Sequence, residues 1–390
     1  MDALPLLSSH ARAVAEAPDI RERFERRFGA AGYAPVPPAP LLTDDPTVLF
    51  VGASITPFKP RMLAGDPIEP CLSTQPCFRY RVHPDWLLGF EMLGVVAMAS
   101  DLDRVTADVV AFLTEERIVD AARLHAFAHP DDADLRAAWI AAHPRGAAAL
   151  ETTEEPSCVR WEYGHGDDLT GRGLTMAWDA GSAARGLPVP GRPAARQLGN
   201  VIVLEPAPSG QAYVEAAFSV EVLDSIAADG DVYATASYAP LVAAFAEAGL
   251  SDASARAAAN LARGTATLLA SGCRPAAKGA AYVVRSLIRR LAELAGEGAG
   301  EDAVLDVVRD EIPSDARAAF DAELDRYRAT LVREVPRARA FVRRRLRAPF
   351  DGDLAASVRE TFGLPPRLVA ELLDAEGYSS AVGTTTERGE

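Results

Sequence analysis

The sequence predicts an α+β fold, with a sheet flanked by helices over residues 1–235, an all-α domain over 236–378 and a disordered tail over 379–390. Three observations carry this. Short β-branched or aromatic runs recur between residues 48 and 218, helical periodicity interrupts them only briefly, and from about residue 240 the chain is almost all helix. Strands gathered ahead of a helical block are the pattern of α+β proteins rather than of alternating βαβ units. A length of 390 residues also exceeds one ordinary core and calls for two or three units.

Taken in order, residues 10–31 have helical character, with Asp19 placed to cap a new start after Pro18. Strands are expected at 48–51, 78–82, 88–96, 123–128, 174–178, 201–204 and 213–218, where β-branched and aromatic residues cluster. Helices are expected at 102–113 and 134–142. The Pro/Gly-rich run 183–196 (AARGLPVPGRPAAR) reads as a connector. In the helical block, Leu287, Leu291 and Leu294, then Leu331, Val335, Val342 and Leu346, recur at helical spacing. The tail SSAVGTTTERGE is small and polar, hence the expectation of disorder.

Composition narrows the function. Hydrophobic residues make up 49% of the chain, ample for a packed core, yet no apolar run approaches the ~20 residues that span a bilayer. With no basic region leading into an apolar run at the N-terminus, a cytoplasmic location is expected, without membrane partners. Cys71, Cys77, Cys158 and Cys273 are too few and too scattered for a disulfide framework. A net charge of −15 argues against wholesale coating of nucleic acid. Basic residues nevertheless concentrate after residue 274. Arg285, Arg289, Arg290, Arg343 and Arg344 read either as a solvated helical surface or as a face that tracks the phosphates of tRNA or another polyanion.

Residues 41–94 hold the motifs that carry chemistry. DPTVLF, then PFKP, then a TQ-C-R segment ending at Arg79, then FEMLG ending at Gly94 follow one another closely. In order and spacing they resemble the opening of the alanyl-tRNA synthetase catalytic core, a class II synthetase domain with an antiparallel sheet. Further along, the segment from Trp161 to Asp167 resembles the family's W-x-x-G-D-x-G. WDAG from Trp178 resembles Y-D-x-G, and LGNVI from Leu198 resembles I-W-N-x-V. YVVRSLIRR from Tyr282 is similar to the family's GYVLRRIIRR, and TFGLP from Thr361 to its T-Y-G-F-P. The resemblance reaches over nearly the whole chain without the family's editing and C-terminal domains. It implies a class II synthetase-like antiparallel sheet, followed by helices resembling the tRNA-recognition region.

Carboxylate activation needs positive charge on the phosphates, a slot for adenine and a grip on the amino acid. The resemblance assigns Arg79 to the carboxylate and α-phosphate, where a guanidinium fork suits the task. Phe90 and Glu91 fall on the strand that frames adenine. Trp161 and Asn200 fall on positions that shape and polarise the amino-acid pocket. The departures are equally informative. The loop after Arg79 is shortened and lacks the family's lysine unless Arg81 replaces it. Aligning the family's V-D-T-G-M-G-L-E-R-I-A-A with Ala217–Ala228 puts Phe218 on the amino-group aspartate, Val220 and Val222 on glycines and Ser225 on the γ-phosphate arginine. Gly279 and Arg367 occupy positions that read tRNA in the family.

ATP and Mg²⁺ are therefore implied only in weakened form, and no zinc is expected. Cys71, Cys77 and His83 lack the tight pairing of zinc sites, so buried thiols are the default. Cys158 with His165, or Glu162 with Asp167 and Asp168, fit a polar loop better than a nucleophile–base pair or a Mg²⁺ site. Two readings remain. One is a repurposed carboxylate- or amino-acid-activating ligase or aminoacyl transferase, of the kind small-molecule biosynthesis employs, acting on a small carboxylate or aminoacyl ligand. The other is a non-catalytic module that binds tRNA, a small ligand or a partner protein.

Overall fold

The computed structural model describes residues 19–378 apart from 46, 81–85, 164–168, 182–183, 207–208, 297–299 and 347–352. The first helix, α1 (Ile20–Ala30), starts where Asp19 accepts a hydrogen bond from the Arg21 N–H, as its cap position predicts. The part of the expected 10–31 helix before residue 19, and the tail from 379, lie outside the described residues.

The sheet is built from β1 (Ala34–Pro35), β2 (Cys71–Phe78), β3 (Gly89–Met98), β4 (Leu124–Ala128), β5 (Leu150–Thr152), β6 (Arg160–Glu162), β7 (Leu169–Asp179), β8 (Pro188–Val189), β9 (Arg192–Pro206) and β10 (Tyr213–Ser219). Its order is β1-β2-β3-β10-β9-β7-β4-β5, with β6 beside β7 and β8 beside β9. The pairs β1–β2 and β4–β5 are parallel and the others antiparallel. This is a mixed sheet with flanking helices, followed by a helical C-terminal region.

Alternation along the strands sorts side chains to two faces. Leu93, Val95, Val214, Ala216, Phe218, Val201 and Met176 form one core with α1, α3 (Leu102–Glu115) and α4 (Ala133–Ala142). On the opposite face, Val96, Ile202, Leu204 and Tyr213 pack under Ile55, Phe58 and Met62. Ile55 caps a 3₁₀ turn (Thr56–Phe58), which holds Phe58 and runs into the short helix α2 (Lys59–Ala64), which holds Met62. A third core joins Phe78, Leu88 and Met92 to the helical block without a break. That block comprises α7 (Ala239–Glu247), α8 (Asp252–Ala270), α9 (Gly279–Ala295), α10 (Glu301–Glu311) and α11 (Arg317–Arg345). The last helices, α12 (Leu354–Phe362) and α13 (Pro366–Ala375), pack on the far half of α11. Between these, the short helices α5 (Pro156–Val159) and α6 (Val220–Ser225) flank the sheet. No described helix is long and apolar enough to cross a membrane.

Three expectations are corrected. Residues 48–51 form no strand. Val51 is tied by single bonds, donating to Leu41 O and accepting from Phe78 N–H, so Phe50 and Val51 enter the core without joining a ladder while Leu49 stays exposed. The strand expected at 78–82 ends at Phe78 and begins at Cys71. It tolerates Pro76 because β1 covers only Cys71 and Leu72, leaving Pro76 on an edge where no N–H is needed. The connector 183–196 contains a hairpin, β8 turning into β9 through Gly191 at φ +76°.

Candidate functional site

The sheet face opposite α1 and α3 divides into a filled centre and an open end. At the centre, β10 presents Glu215, which is fully buried. Its carboxylate accepts a short hydrogen bond from the Ser54 hydroxyl and a 3.3 Å bond from the Tyr163 hydroxyl. Ser54 lies over Gly94 of β3, where any side chain would overlap it. Burial pushes the Glu215 carboxyl up to about 7, opposed by these two hydroxyls and by the charge of Arg79. The Tyr163 phenol is also driven well above its usual value by burial and by Glu215.

Towards β2 and β3 the face opens into a cavity of about 650 Å³, bounded by the ends of these strands, the β8–β9 hairpin, the turn after α6 and helix α8. The Arg79 guanidinium lies over the Phe90 ring, 5.0 Å from its centroid, while its Nε donates to Gly52 O at 2.8 Å. Trp178, Leu187, Val222, Tyr233 and Leu261 make much of the wall. Five arginines and two aspartates also line it. One terminal nitrogen of Arg256 donates to both Asp231 carboxylate oxygens, at 2.8 and 2.9 Å, while its Nε reaches Asp252. Arg196 spends its donors on main-chain carbonyls of the hairpin, including Arg185 O at 2.9 Å.

Helix α8 fixes the mouth. Asn260 donates to Trp86 O at 2.8 Å and accepts from the Leu88 N–H at 2.9 Å, so one side chain satisfies both backbone groups at the entry to β3. Gly264 and Gly89 permit the close approach, since a side chain at either would collide with Leu88 or Thr267. Helix α9 is joined to the same end by Tyr80 and Ser286, whose hydroxyls are 2.9 Å apart.

The residues singled out in the sequence do not converge on one pocket. Arg79 and Phe90 line the cavity. Trp161 instead packs beside Gly171 and Gly173 of β7 in the central core. Asn200 accepts from the Thr175 hydroxyl at 3.0 Å. Phe218 is 1% exposed and packs against Phe112 at a tilt of 58°, ring centroids 6.0 Å apart, on the opposite face of the sheet. The alternation of β10 turns it away from the ligand side. Glu91 pairs with Arg21 of α1 at 2.8 Å, and its N–H donates to Glu221, so neither group faces the cavity. Glu221 is itself pushed up to about 7 by burial. Arg81 lies outside the described residues, as do His83, His165, Asp167 and Asp168.

The basic face is also rearranged. Arg285 and Arg289 of α9, with Arg326 of α11, converge on Glu323, which is 2% exposed. Arg343 and Arg339 share Glu376. These arginines tie helices together, because a buried carboxylate needs several donors to be tolerated. Arg290 lines the cavity, and Arg344 is exposed.

Sequence reasoning missed Ser54, Glu215, Tyr163 and Asn260. Two carried a signal: Glu215 is the lone acid in the apolar run YVEAAF, and Asn260 sits between alanines and leucines that are buried. All four cysteines are buried, and burial pushes the Cys77 thiol up to about 12. Among the described residues, no group of three or more His, Cys, Asp or Glu side chains is arranged to hold a metal ion.

Comparison with known proteins places these elements in a family context. Residues 19–140 match the family model of class II tRNA synthetases (A). The alanine–tRNA ligase of Corynebacterium diphtheriae is 45% identical over 65 residues, 16% of this chain and 7% of that protein. That of Corynebacterium efficiens is 53% identical over 45 residues, 12% of this chain and 5% of that protein. The matched stretches thus span less than a tenth of these relatives. Among solved structures, histidyl-tRNA synthetase of S. aureus is 14% identical at a TM-score of 0.33, covering 60% of this chain and 74% of that one.

Proposed function

We propose that this chain, whose residues 19–140 match the class II tRNA synthetases (A), is a repurposed ligase or transferase. Its substrate on this reading is a small carboxylate or aminoacyl ligand, and it does not charge tRNA with alanine. The observation that carries the reading is the Arg79 guanidinium over Phe90 at the mouth of a cavity where arginines outnumber carboxylates five to two. Such a fork fits a carboxylate or phosphate, and an aromatic ring beneath it keeps the cation in place.

The structure also suggests a better register for the last motif. Sliding it three residues earlier sets its aspartate on Glu215, its second glycine on the Ser219 cap, its glutamate on Glu221 and its arginine on Val222. On this register an acid is retained, but sealed under Ser54 and Tyr163 where no ammonium group reaches it. Val222, on the cavity wall, brings no charge to a γ-phosphate. ATP with Mg²⁺ is therefore a weak ligand, and a free α-amino acid is a poor one. The ion-paired arginines of α9 and α11 likewise favour an acceptor other than tRNA.

Val222 and the sealed Glu215 favour a second reading, a non-catalytic module that binds the same ligand. Carboxylate-dependent pyrophosphate exchange, expected for a ligase, or acyl transfer from an activated donor to hydroxylamine, expected for a transferase, separates the first reading from a module, which shows neither. Calorimetry with a non-hydrolysable aminoacyl adenylate analogue tests the shared premise. Binding should weaken about tenfold or more in Arg79→Ala, the range for a lost charged hydrogen bond. Undiminished binding in that variant would refute the site.

A further inference from the structure

The cavity is larger and more apolar than the recognition of a short carboxylate requires. Its volume of about 650 Å³ lies inside the ~300–1,000 Å³ range of sites that enclose drug-sized ligands. Beyond Arg79 and Phe90 the wall continues through Trp178, Leu187, Val222 and Tyr233 to Ala257 and Leu261 of α8. Three of the five arginines there are already engaged. Asp231 holds Arg256 and lies 3.5 Å from Arg185, and Arg196 is committed to carbonyls. A polyphosphate laid against this wall would lose hydration without gaining donors, whereas an alkyl or aryl group would gain from leaving water.

A second cation comes from the helical block. Arg290 lines the cavity and lies one helical turn beyond Ser286, whose hydroxyl meets that of Tyr80, the neighbour of Arg79. Among the described residues Arg290 makes no ion pair within 4 Å. Contact between Tyr80 and Ser286 thus brings the segment just after β2, which bears Arg79, against the helix that bears Arg290.

From these features we infer that the ligand is a carboxylate with an extended apolar body, an acyl chain or an aryl group. Its head is held by Arg79, its body runs over Phe90 towards Leu187 and Tyr233, and Arg290 adds a second positive charge from α9. This rests on the preceding reading that the cavity binds a carboxylate, and it names the class of that carboxylate.

The test is calorimetric titration of the full chain with butyrate, octanoate, decanoate and 3-phenylpropionate, with AMP as a separate arm. Affinity should rise about fourfold per added methylene, the equivalent of ~0.8 kcal/mol per buried CH₂. Arg290→Ala should weaken every carboxylate by about tenfold. Leu187→Asp should weaken decanoate far more than butyrate, and Leu187→Ala, a milder change, should reduce the chain-length dependence without abolishing binding. Circular dichroism and thermal melts identify any variant that fails to fold, and Leu187→Ala then carries the comparison. Arg79-dependent binding that is indifferent to chain length would overturn the inference while leaving the carboxylate site standing. Tighter binding of AMP than of any acyl carboxylate, lost in Phe90→Ala, would overturn it in favour of a nucleotide. The absence of any Arg79-dependent carboxylate binding would remove both the inference and the reading beneath it.

Discussion

One sheet face carries two sites with opposite solutions to the same problem. At its centre a lone carboxylate is enclosed by Ser54 and Tyr163, with Gly94 kept bare so that Ser54 fits. At its β2–β3 end an arginine lies over an aromatic ring beside open space. The acid is buried and raised, since leaving water penalises its charged form. The arginine stays partly wet and charged. One face of a sheet can therefore be sealed core at its centre and border open space at its end.

The comparison can be broken most sharply at Phe218, placed on the ligand side by motif alignment and in the helical core by the fold. Phe218→Ala should cost about 3–5 kcal/mol in chemical denaturation, as for a large buried aromatic. Ligand affinity of the folded fraction should be unchanged. A mild stability loss with a large affinity loss would restore Phe218 to the pocket.

Next comes the pH profile. Glu215 titrates near 7 in the folded state and near ~4.3 when unfolded. Between those values the folded chain holds a proton that the unfolded chain releases, so stability falls as pH rises from about 4 to 7. Glu215→Gln should remove that fall, on the order of 3–4 kcal/mol. Glu221, also raised to about 7, should contribute a slope of the same sign that persists in the variant. A Glu215→Gln profile identical to that of the parent would place the titration elsewhere.

Ser54→Ala removes one of the two hydroxyls facing Glu215 and should cost about 1–3 kcal/mol. It should also raise the Glu215 midpoint, visible by NMR as a transition moved above 7. A lowered midpoint would mean that water had entered and that the centre is not sealed. The smallest effect is expected for Tyr80→Phe, which deletes one exposed hydroxyl contact to Ser286 and should change stability by only ~0.5–1.5 kcal/mol. If α9 is held against β2 mainly by this contact, Arg290-dependent ligand binding should weaken with it.

Much of the scaffold was legible because its signals are local. Asp19 caps α1, FEMLG lies in β3, and the spacing of Leu287 and Leu291 marks one face of α9. Clusters of β-branched and aromatic residues located the longer strands, while bounds drifted where a proline sits on an edge, as in β2, or where a Pro/Gly run hides a hairpin, as at β8–β9. Motif order identified the synthetase-like opening and selected Arg79 and Phe90, which do share a cavity.

What the sequence alone determined, then, is the order of the longer strands ahead of a helical block and the placing of an arginine and an aromatic ring at one strand pair. Whether Phe218 or Glu215 faces the ligand side was a matter of register, because a shift of one or three residues along a strand reverses every side chain. Whether Arg285, Arg289 and Arg343 offer charge outward depended on Glu323 and Glu376, which lie 34 to 38 and 33 residues away and meet them only when the helices pack. The mouth of the cavity likewise depends on Asn260 reaching Leu88 across 172 residues. Periodicity records which face of an element is apolar; which partner it meets there is settled only when distant segments compete for the same buried space.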